Sequence, residues 1–185
     1  MKIPDGFNIP THFEFKIQDN CNIRILPLNR LMAKEDYNLV ISNRRHLKGI
    51  FGKLDDWWPS DDLSEKENYS MLLWHEKQFE NKKSFAYAIM FNNKYIGCFY
   101  IYGLEEVYEI VSVVDFDMLY VFMWTSESMY HNGIDNLIFN HLKLWVEKEW
   151  NFAKADYPGR VTPLVSYKNS TASWIKTEKQ KNNVT

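Results

Sequence analysis

Hydrophobic positions recur along the chain with two periods, one typical of strands and one typical of helices. In residues 22–28, Ile23 and Ile25 fall on one face, which predicts a strand, and a weaker alternation makes residues 13–17 a second candidate. Residues 34–47 carry apolar side chains at helical spacing, and Gly49 stands where a helix commonly ends. This first third therefore predicts one or two strands followed by a helix.

The middle of the chain predicts a second helix and a strand hairpin. Ser64 with Glu67 three residues later forms a capping-box pattern, so we expect a helix from there to about Asn81. Two aromatic and β-branched runs follow at 85–91 and 95–102. The Asn-Asn-Lys between them tolerates a positive φ, which favours a tight turn.

The last third begins with an uninterrupted apolar run at 118–124, which is typical of a strand buried on both faces. A helix from Gly133 to Trp150 is predicted next, because its apolar residues form one stripe. A strand at 160–167 and a helix at 169–178 complete the order β-α-α-β-β-β-α-β-α. This order predicts an α/β domain with a mixed central sheet flanked by helices.

The same pattern sets the expected organisation of the chain. We expect an N-terminal arm over residues 1–20, a single domain over 21–178 and a disordered tail over 179–185.

Composition and charge exclude several classes of function. The 185 residues are 45% apolar with a net charge of −2, and no basic cluster offers a footprint for nucleic acid. No apolar run approaches the ~20 residues of a membrane span, and the N-terminus lacks a secretory pattern. Cys21 and Cys98 have neither metal-ligand nor disulfide spacing. We therefore expect a cytoplasmic protein without a metal, a nucleic-acid partner or a membrane partner.

Four stretches of sequence carry a resemblance to the GNAT (Gcn5-related) N-acetyltransferase superfamily. They are LPLNRLMAKEDYNLV, the hairpin FAYAIMFNNKYIGCFYIYG, SESMYHNGIDNLIFNHLKLWV after the apolar strand, and VSYKNSTASW. The resemblance covers about residues 22–175 and marks the chain as a divergent member. It implies a GNAT-like fold, shortened at its C-terminus, with acetyl-CoA as co-substrate.

The resemblance implies a cofactor site around the apolar strand and the turn after it. A helix N-terminus with a glycine turn offers free N–H groups to the pyrophosphate of coenzyme A. The family pattern Arg/Gln-x-x-Gly-x-Gly/Ala falls on Tyr130, His131, Asn132, Gly133, Ile134 and Asp135. The family's main-chain contact to the thioester falls near Phe122, Met123 and Trp124, and its Asn-x-x-Ala junction falls at Asn169.

Two positions of the turn depart from the family pattern. Tyr130 replaces the Arg or Gln, which removes a strong donor, and Asp135 places a negative charge beside the pyrophosphate. His131 is a candidate to compensate as a donor. The alternative is that Asn132 and Asp135 simply cap the helix and complement its dipole.

The resemblance also implies a base and an acid for acyl transfer. The family commonly places a carboxylate near this strand, so the candidates for the base are Asp117 and Glu109. The family's helix-four tyrosine is replaced by Lys176, which leaves Tyr167 or Tyr157 as candidates for the acid. The alternative is that the acids are solvated charges and the tyrosines are packing residues.

We further expect the strands at 118–124 and 160–167 to splay into a V-shaped cleft.

An acidic and aromatic segment between the first two helices is the candidate acceptor site. Its Asp55, Asp56, Trp57 and Trp58 suit a cationic amine through ion pairing and cation–π contact. The alternative is that the two tryptophans close the core beneath a solvated loop. If the C-terminal strands of the family are missing, the N-terminal arm or a second subunit in a homodimer would have to complete this site.

The predicted function is transfer of an acetyl group from acetyl-CoA to a small, cationic amine by direct attack. The first alternative is a non-catalytic protein of the same fold that binds coenzyme A weakly or serves as an interaction module. The second is an unrelated α/β domain that holds an apolar small molecule.

Overall fold

The computed structural model describes residues 1–18, 21–51, 58–103 and 117–162. Its centre is a six-stranded mixed sheet with the strand order β1-β2-β3-β4-β5-β6. Neighbouring strands are antiparallel as far as β5, and β6 alone is parallel to its neighbour. The strands are β1 (Phe13–Gln18), β2 (Cys21–Pro27), β3 (Phe85–Phe91), β4 (Lys94–Tyr102), β5 (Met118–Thr125) and β6 (Lys154–Asp156).

Helices cover both faces of this sheet. One face carries a core with side chains of α5, and the other carries a second core with side chains of α1, α2 and α3. Because successive side chains of a strand point to opposite faces, β5 supplies both cores, and Leu119 to Thr125 are all buried. The helices are α1 (Ala33–Ser42), α2 (Arg44–Phe51), α3 (Glu65–Glu80), α4 (Glu127–His131) and α5 (Ile134–Glu149), with a 3-10 turn at Arg30–Met32.

Two local predictions are confirmed by their hydrogen bonds and dihedral angles. Ser64 accepts from the Glu67 N–H at 3.2 Å while the Glu67 carboxylate accepts from the Ser64 N–H at 3.0 Å. In the turn of the β3–β4 hairpin, Asn92 and Asn93 adopt φ values of 46° and 67°. Both motifs depend only on residues a few positions apart, so the sequence is sufficient to specify them.

Three predictions about elements need correction. The helix predicted at 34–47 is two helices, with the break at Asn43, and α2 continues past Gly49 to residue 51. Residues 159–161 form a turn, Thr162 makes only an isolated bridge with Pro158, and β6 lies earlier, at Lys154–Asp156. The proposed strand at 163–167 and the helix at 169–178 lie outside the described residues.

The N-terminal segment is packed on the core. β1 pairs with β2, and Met1, Ile3, Phe7 and Ile9 contact the core on the α5 side of the sheet. Within residues 1–18, Phe13–Gln18 thus form a strand of the sheet, and the residues before them pack against its core.

Within the described ranges, no helix combines the length and the apolar content that crossing a membrane requires.

Candidate active site

Among the described residues, the pairing of β5 with β6 ends after the first three residues of β5. The two strands pair only at Met118–Tyr120 and Lys154–Asp156. From Val121 to Thr125, β5 remains paired with β4 but has no ladder partner on its other side among the described residues. Within the described ranges, one backbone edge of β5 is therefore unpaired, and we call the space beside it the cleft; β6 is not the strand at 160–167 that the sequence predicts.

The direction of the peptide groups shows which residues of β5 face this cleft. The Ser126 N–H donates to the Ile96 carbonyl at 2.9 Å, and hydrogen-bonded pairs in an antiparallel ladder recur every second residue. Phe122 and Trp124 therefore direct their N–H and C=O groups to β4. Met123 directs its groups to the cleft, where its carbonyl accepts from Nη2 of Arg160 at 3.5 Å. Of the three main-chain candidates, Met123 is the one that faces the opening.

One short helix connects β5 to a glycine turn at the start of a long helix. After the short α4, Gly133 adopts φ = 74° and is the N-cap of the 16-residue α5. The first-turn N–H groups of Ile134, Asp135 and Asn136 have no carbonyl four residues earlier within the helix. These donors and the positive end of the helix dipole are suited to an anion.

The space above Gly133 is open. An added Cβ would meet no heavy atom of the described residues within 4 Å, so glycine is required here by its backbone conformation and not by crowding. A ligand can therefore approach the backbone of this turn closely.

Asp135 lies in the first turn of α5, where a negative charge complements the helix dipole, but its side chain has partners that neither interpretation named. Gly133, not Asn132, is the N-cap, and no side chain caps α5. The Asp135 carboxylate is buried and accepts from the Thr125 hydroxyl at 2.7 Å. It also forms an ion pair with Arg160, with nitrogen–oxygen distances of 2.7 and 2.9 Å. The carboxylate therefore points into the protein and its charge is compensated there.

The last two residues of α4, Tyr130 and His131, are aromatic and exposed. The Tyr130 residue is 51% exposed, and its ring centroid lies 5.1 Å from that of His46 on α2. His131 is paired with Glu127 at 3.5 Å. Burial lowers the pKa of His46, whose ring is hydrogen-bonded to the Thr125 backbone. A second side chain from the other side of the sheet reaches the same turn, because Oδ1 of Asn43 accepts from the Glu127 N–H at 2.8 Å.

An aromatic cluster covers the β4–β5 surface on the α3 side. The half-buried Trp58 packs on the fully buried Trp124, with ring centroids 6.2 Å apart. Nε1 of Trp124 donates to the Tyr100 hydroxyl at 3.3 Å, and the Tyr100 ring lies 5.3 Å from that of His75. Trp58 thus closes the core, as the packing alternative expected, and stands one layer above β5. The other acceptor candidates, Asp55, Asp56 and Trp57, lie outside the described residues.

Of the candidates for acid and base, the structure describes only Asp117 and Tyr157, and neither contacts Met123. Asp117 directly precedes β5 and lines a small cavity with Met1 and Lys2. Asp117 lies six positions before Met123 along an extended strand, which is a distance of about 20 Å. The Tyr157 hydroxyl donates to the Lys143 carbonyl at 3.4 Å on the α5 side, and burial raises its pKa, so Tyr157 is a packing residue. Glu109, Tyr167 and Asn169 lie outside the described residues.

No cluster of three or more His, Cys, Asp or Glu side chains suitable for a metal occurs within the described ranges.

Three residues at the site were not indicated by the sequence: Asn43, Thr125 and Arg160. Each contacts the turn through a side-chain hydrogen bond to a residue at least ten positions away. Only the break that Asn43 makes in a predicted helix would have been a local signal, and the apolar spacing across residues 34–47 conceals it.

The architecture matches that of solved acetyltransferases. The chain superposes on the ribosomal-protein-S5-alanine acetyltransferase of Vibrio fischeri with a TM-score of 0.56 at 16% identity, over 78% of this chain and 73% of that one. For RimL, the ribosomal L7/L12 alpha-N-protein acetyltransferase, in complex with coenzyme A, the TM-score is 0.54 at 15% identity, over 74% and 68%. For MccE, a microcin C7 self immunity acetyltransferase in complex with acetyl-CoA and AMP, it is 0.52 at 17%, over 70% and 63%.

These similarities define the class of fold. The chain is an α/β domain with the GNAT-like acyltransferase fold, which confirms the architecture that the sequence resemblance implied. At 15–17% identity the likeness establishes the fold alone. No protein-family model and no curated protein matches the sequence.

Proposed function

We propose that the chain is an N-acetyltransferase that uses acetyl-CoA. One observation carries the proposal: the free edge of β5 at Met123 continues, within ten residues, into an open glycine turn at the N-terminus of α5. Main-chain N–H groups suited to a thioester and to a pyrophosphate would then lie along the same edge, which supports the proposal. The similar solved structures include complexes with acetyl-CoA and with coenzyme A, which supports the same co-substrate here.

The residues present fit the two polar parts of acetyl-CoA. The first-turn N–H groups of α5 and the backbone at Gly133 would hold the pyrophosphate. The Met123 N–H, which shares the cleft edge with the Met123 carbonyl, would donate to the thioester oxygen as negative charge develops on it. Acetyl-CoA supplies the activated acyl group. The chain orients it and provides these donors, so that the amine can attack directly and form the amide as the carbon–sulfur bond breaks.

The reaction also needs a base and an acid for its two proton transfers. The amine must lose a proton, and the departing thiolate must gain one. Glu109 and Tyr167 remain our candidates for base and acid. Asp117 would have to act through a chain of waters, because about 20 Å of strand separates it from Met123.

The acceptor is an amine that enters from the aromatic side of β5. Trp58 there, together with Asp55, Asp56 and Trp57, suits a small cationic amine. The N-terminus of a protein is the second candidate, because two of the similar structures are named for acetylation of ribosomal proteins. We propose that the reaction takes place in the cytoplasm. Where one copy of the chain leaves the acceptor site incomplete, a second copy in a homodimer would complete it.

Gly133 allows a test that separates ligand binding from folding. Asn and Asp are nearly identical in shape, and both tolerate the left-handed conformation that Gly133 adopts. In Gly133→Asp a negative charge would face the pyrophosphate, whereas Gly133→Asn adds the same bulk without charge. We expect Gly133→Asp to bind acetyl-CoA about tenfold more weakly than Gly133→Asn, with the gap narrowing as salt increases.

Calorimetric titration of both variants, together with their melting temperatures, measures this difference. Both variants carry the same left-handed backbone strain, so they should melt close to each other and somewhat below the wild type. Equal affinities of two folded variants at low salt would place the pyrophosphate elsewhere and contradict the proposed site.

A further inference from the structure

Arg160, in the turn after β6, connects the parts of the proposed cofactor cleft. Its two terminal nitrogens contact the two Asp135 oxygens at 2.7 and 2.9 Å, a bidentate geometry. Nη2 also donates to the Met123 carbonyl at 3.5 Å, and the guanidinium lies 4.9 Å from the centroid of the Phe139 ring. One side chain thus joins the turn after β6 to β5 and to the first two turns of α5.

The charge that Arg160 compensates lies next to the proposed pyrophosphate site. Asp135 is two residues beyond Gly133, and its side chain is 4% exposed. A single buried carboxylate at this end of α5 would repel a diphosphate at short range. Paired with Arg160, which is itself only 18% exposed, the carboxylate adds little net charge to the site.

We propose that Arg160 is a positioning residue of the acetyl-CoA site: it neutralises Asp135 and holds the cleft edge of β5 at Met123. The inference rests on the proposed function. It explains how the chain accommodates an acidic residue where the family pattern has a small one. Arg160 and Asp135 act as a pair, so their effects on cofactor affinity should be opposite in sign.

The test uses three variants of the full chain and titration with coenzyme A at low and high salt. Arg160→Met leaves the Asp135 charge uncompensated, and we expect the dissociation constant to rise by about tenfold or more at low salt. Asp135→Asn leaves the Arg160 charge uncompensated, and we expect the dissociation constant to fall several-fold. The double variant lacks both charges and should bind nearly as the wild type does.

A matched control removes an equal positive charge from α5, away from the cleft. Lys143 lies on α5 in a partly exposed pair with Glu147, at 3.5 Å. Lys143→Met should leave the dissociation constant unchanged. Arg160→Lys keeps the charge but loses the bidentate contact, and it should recover part of the affinity that Arg160→Met loses.

Stability is measured on each variant, because an unpaired buried carboxylate is costly to folding. If Arg160→Met does not fold, the comparison between Asp135→Asn and the double variant carries the test. Both lack the carboxylate, and Asp135→Asn should bind more tightly because it retains Arg160.

The outcomes separate this inference from the proposed function. If the folded wild type does not bind coenzyme A, the proposed function is overturned, and the role of Arg160 with it. If the wild type binds but both single variants weaken binding in proportion to their loss of stability, the pair is merely structural and this inference alone is overturned.

Discussion

His75 lies within α3, beneath the aromatic cluster, and is 8% exposed. Its Nδ1 atom is buried and has no hydrogen-bond partner in the part of the chain that the structure describes, and the ring packs against Trp74 and Tyr100. Burial disfavours the charged imidazolium and lowers the pKa of His75 to about 4, from 6.5. His75 is therefore held neutral at physiological pH and acts as a packing residue of the second core.

This burial predicts a loss of stability in mild acid. As the pH falls below 6.5 the unfolded chain takes up a proton at His75 before the folded chain does, so unfolding becomes easier until the pH approaches 4. Across this window the free energy of unfolding should fall by on the order of 3 kcal/mol through His75 alone. Urea unfolding at a series of pH values measures it.

His75→Phe should flatten this part of the curve, because the ring remains and the proton site is removed. His12→Gln, a change at an exposed histidine, should leave the slope intact. Parallel curves for the wild type and His75→Phe would contradict the assignment.

The residues of the turn show how far a sequence can specify a site. The glycine at 133 is recognisable because it serves a local backbone conformation, φ = 74°. The roles of Tyr130 and Asp135 are not, because they depend on partners brought by other elements: His46 from α2 and Arg160 from the turn after β6. The family pattern alone predicted that the Asp135 side chain faces the pyrophosphate, whereas in the folded chain its carboxylate is paired with Arg160.

At the scale of elements, the close approach of β4 and β5 fixes the geometry of the cleft. A Cβ added to Gly97 would lie 2.1 Å from the Trp124 carbonyl oxygen and 2.8 Å from the Thr125 Cα atom. Both are backbone atoms, so they cannot move aside without separating the strands. Gly97 therefore permits the strand pairing that directs Met123 toward the opening.

Replacement of Gly97 by alanine should force β4 and β5 apart. We expect Gly97→Ala to lower the free energy of unfolding by at least ~2 kcal/mol, as overpacking of a rigid contact does. Affinity for acetyl-CoA should fall further than the loss of folded protein explains. Chemical denaturation and calorimetry on the same preparation provide both numbers.

Lys94→Ala, an exposed change at the start of β4, is the control and should alter neither quantity. Unchanged stability in Gly97→Ala would contradict the close approach of the two strands.

Elements were predictable where their signals are local. Three elements are indicated by patterns of only a few residues: the capping box of α3, the Asn92–Asn93 turn and the apolar run of β5. The break between α1 and α2 is a tertiary feature, because Asn43 spans from the Leu39 carbonyl to the Glu127 N–H. Likewise, β6 has only three residues and depends on pairing with β5, so its own sequence carries little strand signal.

At the scale of the whole molecule, the fold places one open strand edge between two helical layers. β5 is held by β4 along its length but by β6 only at its start, so the sheet opens toward the glycine turn. α5, whose N-terminus is the proposed anion site, packs on one face, and the aromatic cluster with Trp58 lies on the other. A co-substrate in the cleft would thus meet an acceptor arriving from the aromatic side.

The most direct measurement of this account is the release of thiol from acetyl-CoA in the presence of amines. The panel contains small cationic amines and peptides with a free N-terminal serine or alanine, and mass spectrometry identifies the acetylated product. We predict saturable, amine-dependent release by the wild type. Gly133→Asp should have a lower kcat/KM for acetyl-CoA than Gly133→Asn, with the difference decreasing as salt rises. Equal kcat/KM values for the two folded variants, or no acetylated product from any amine with the folded wild type, would contradict the account.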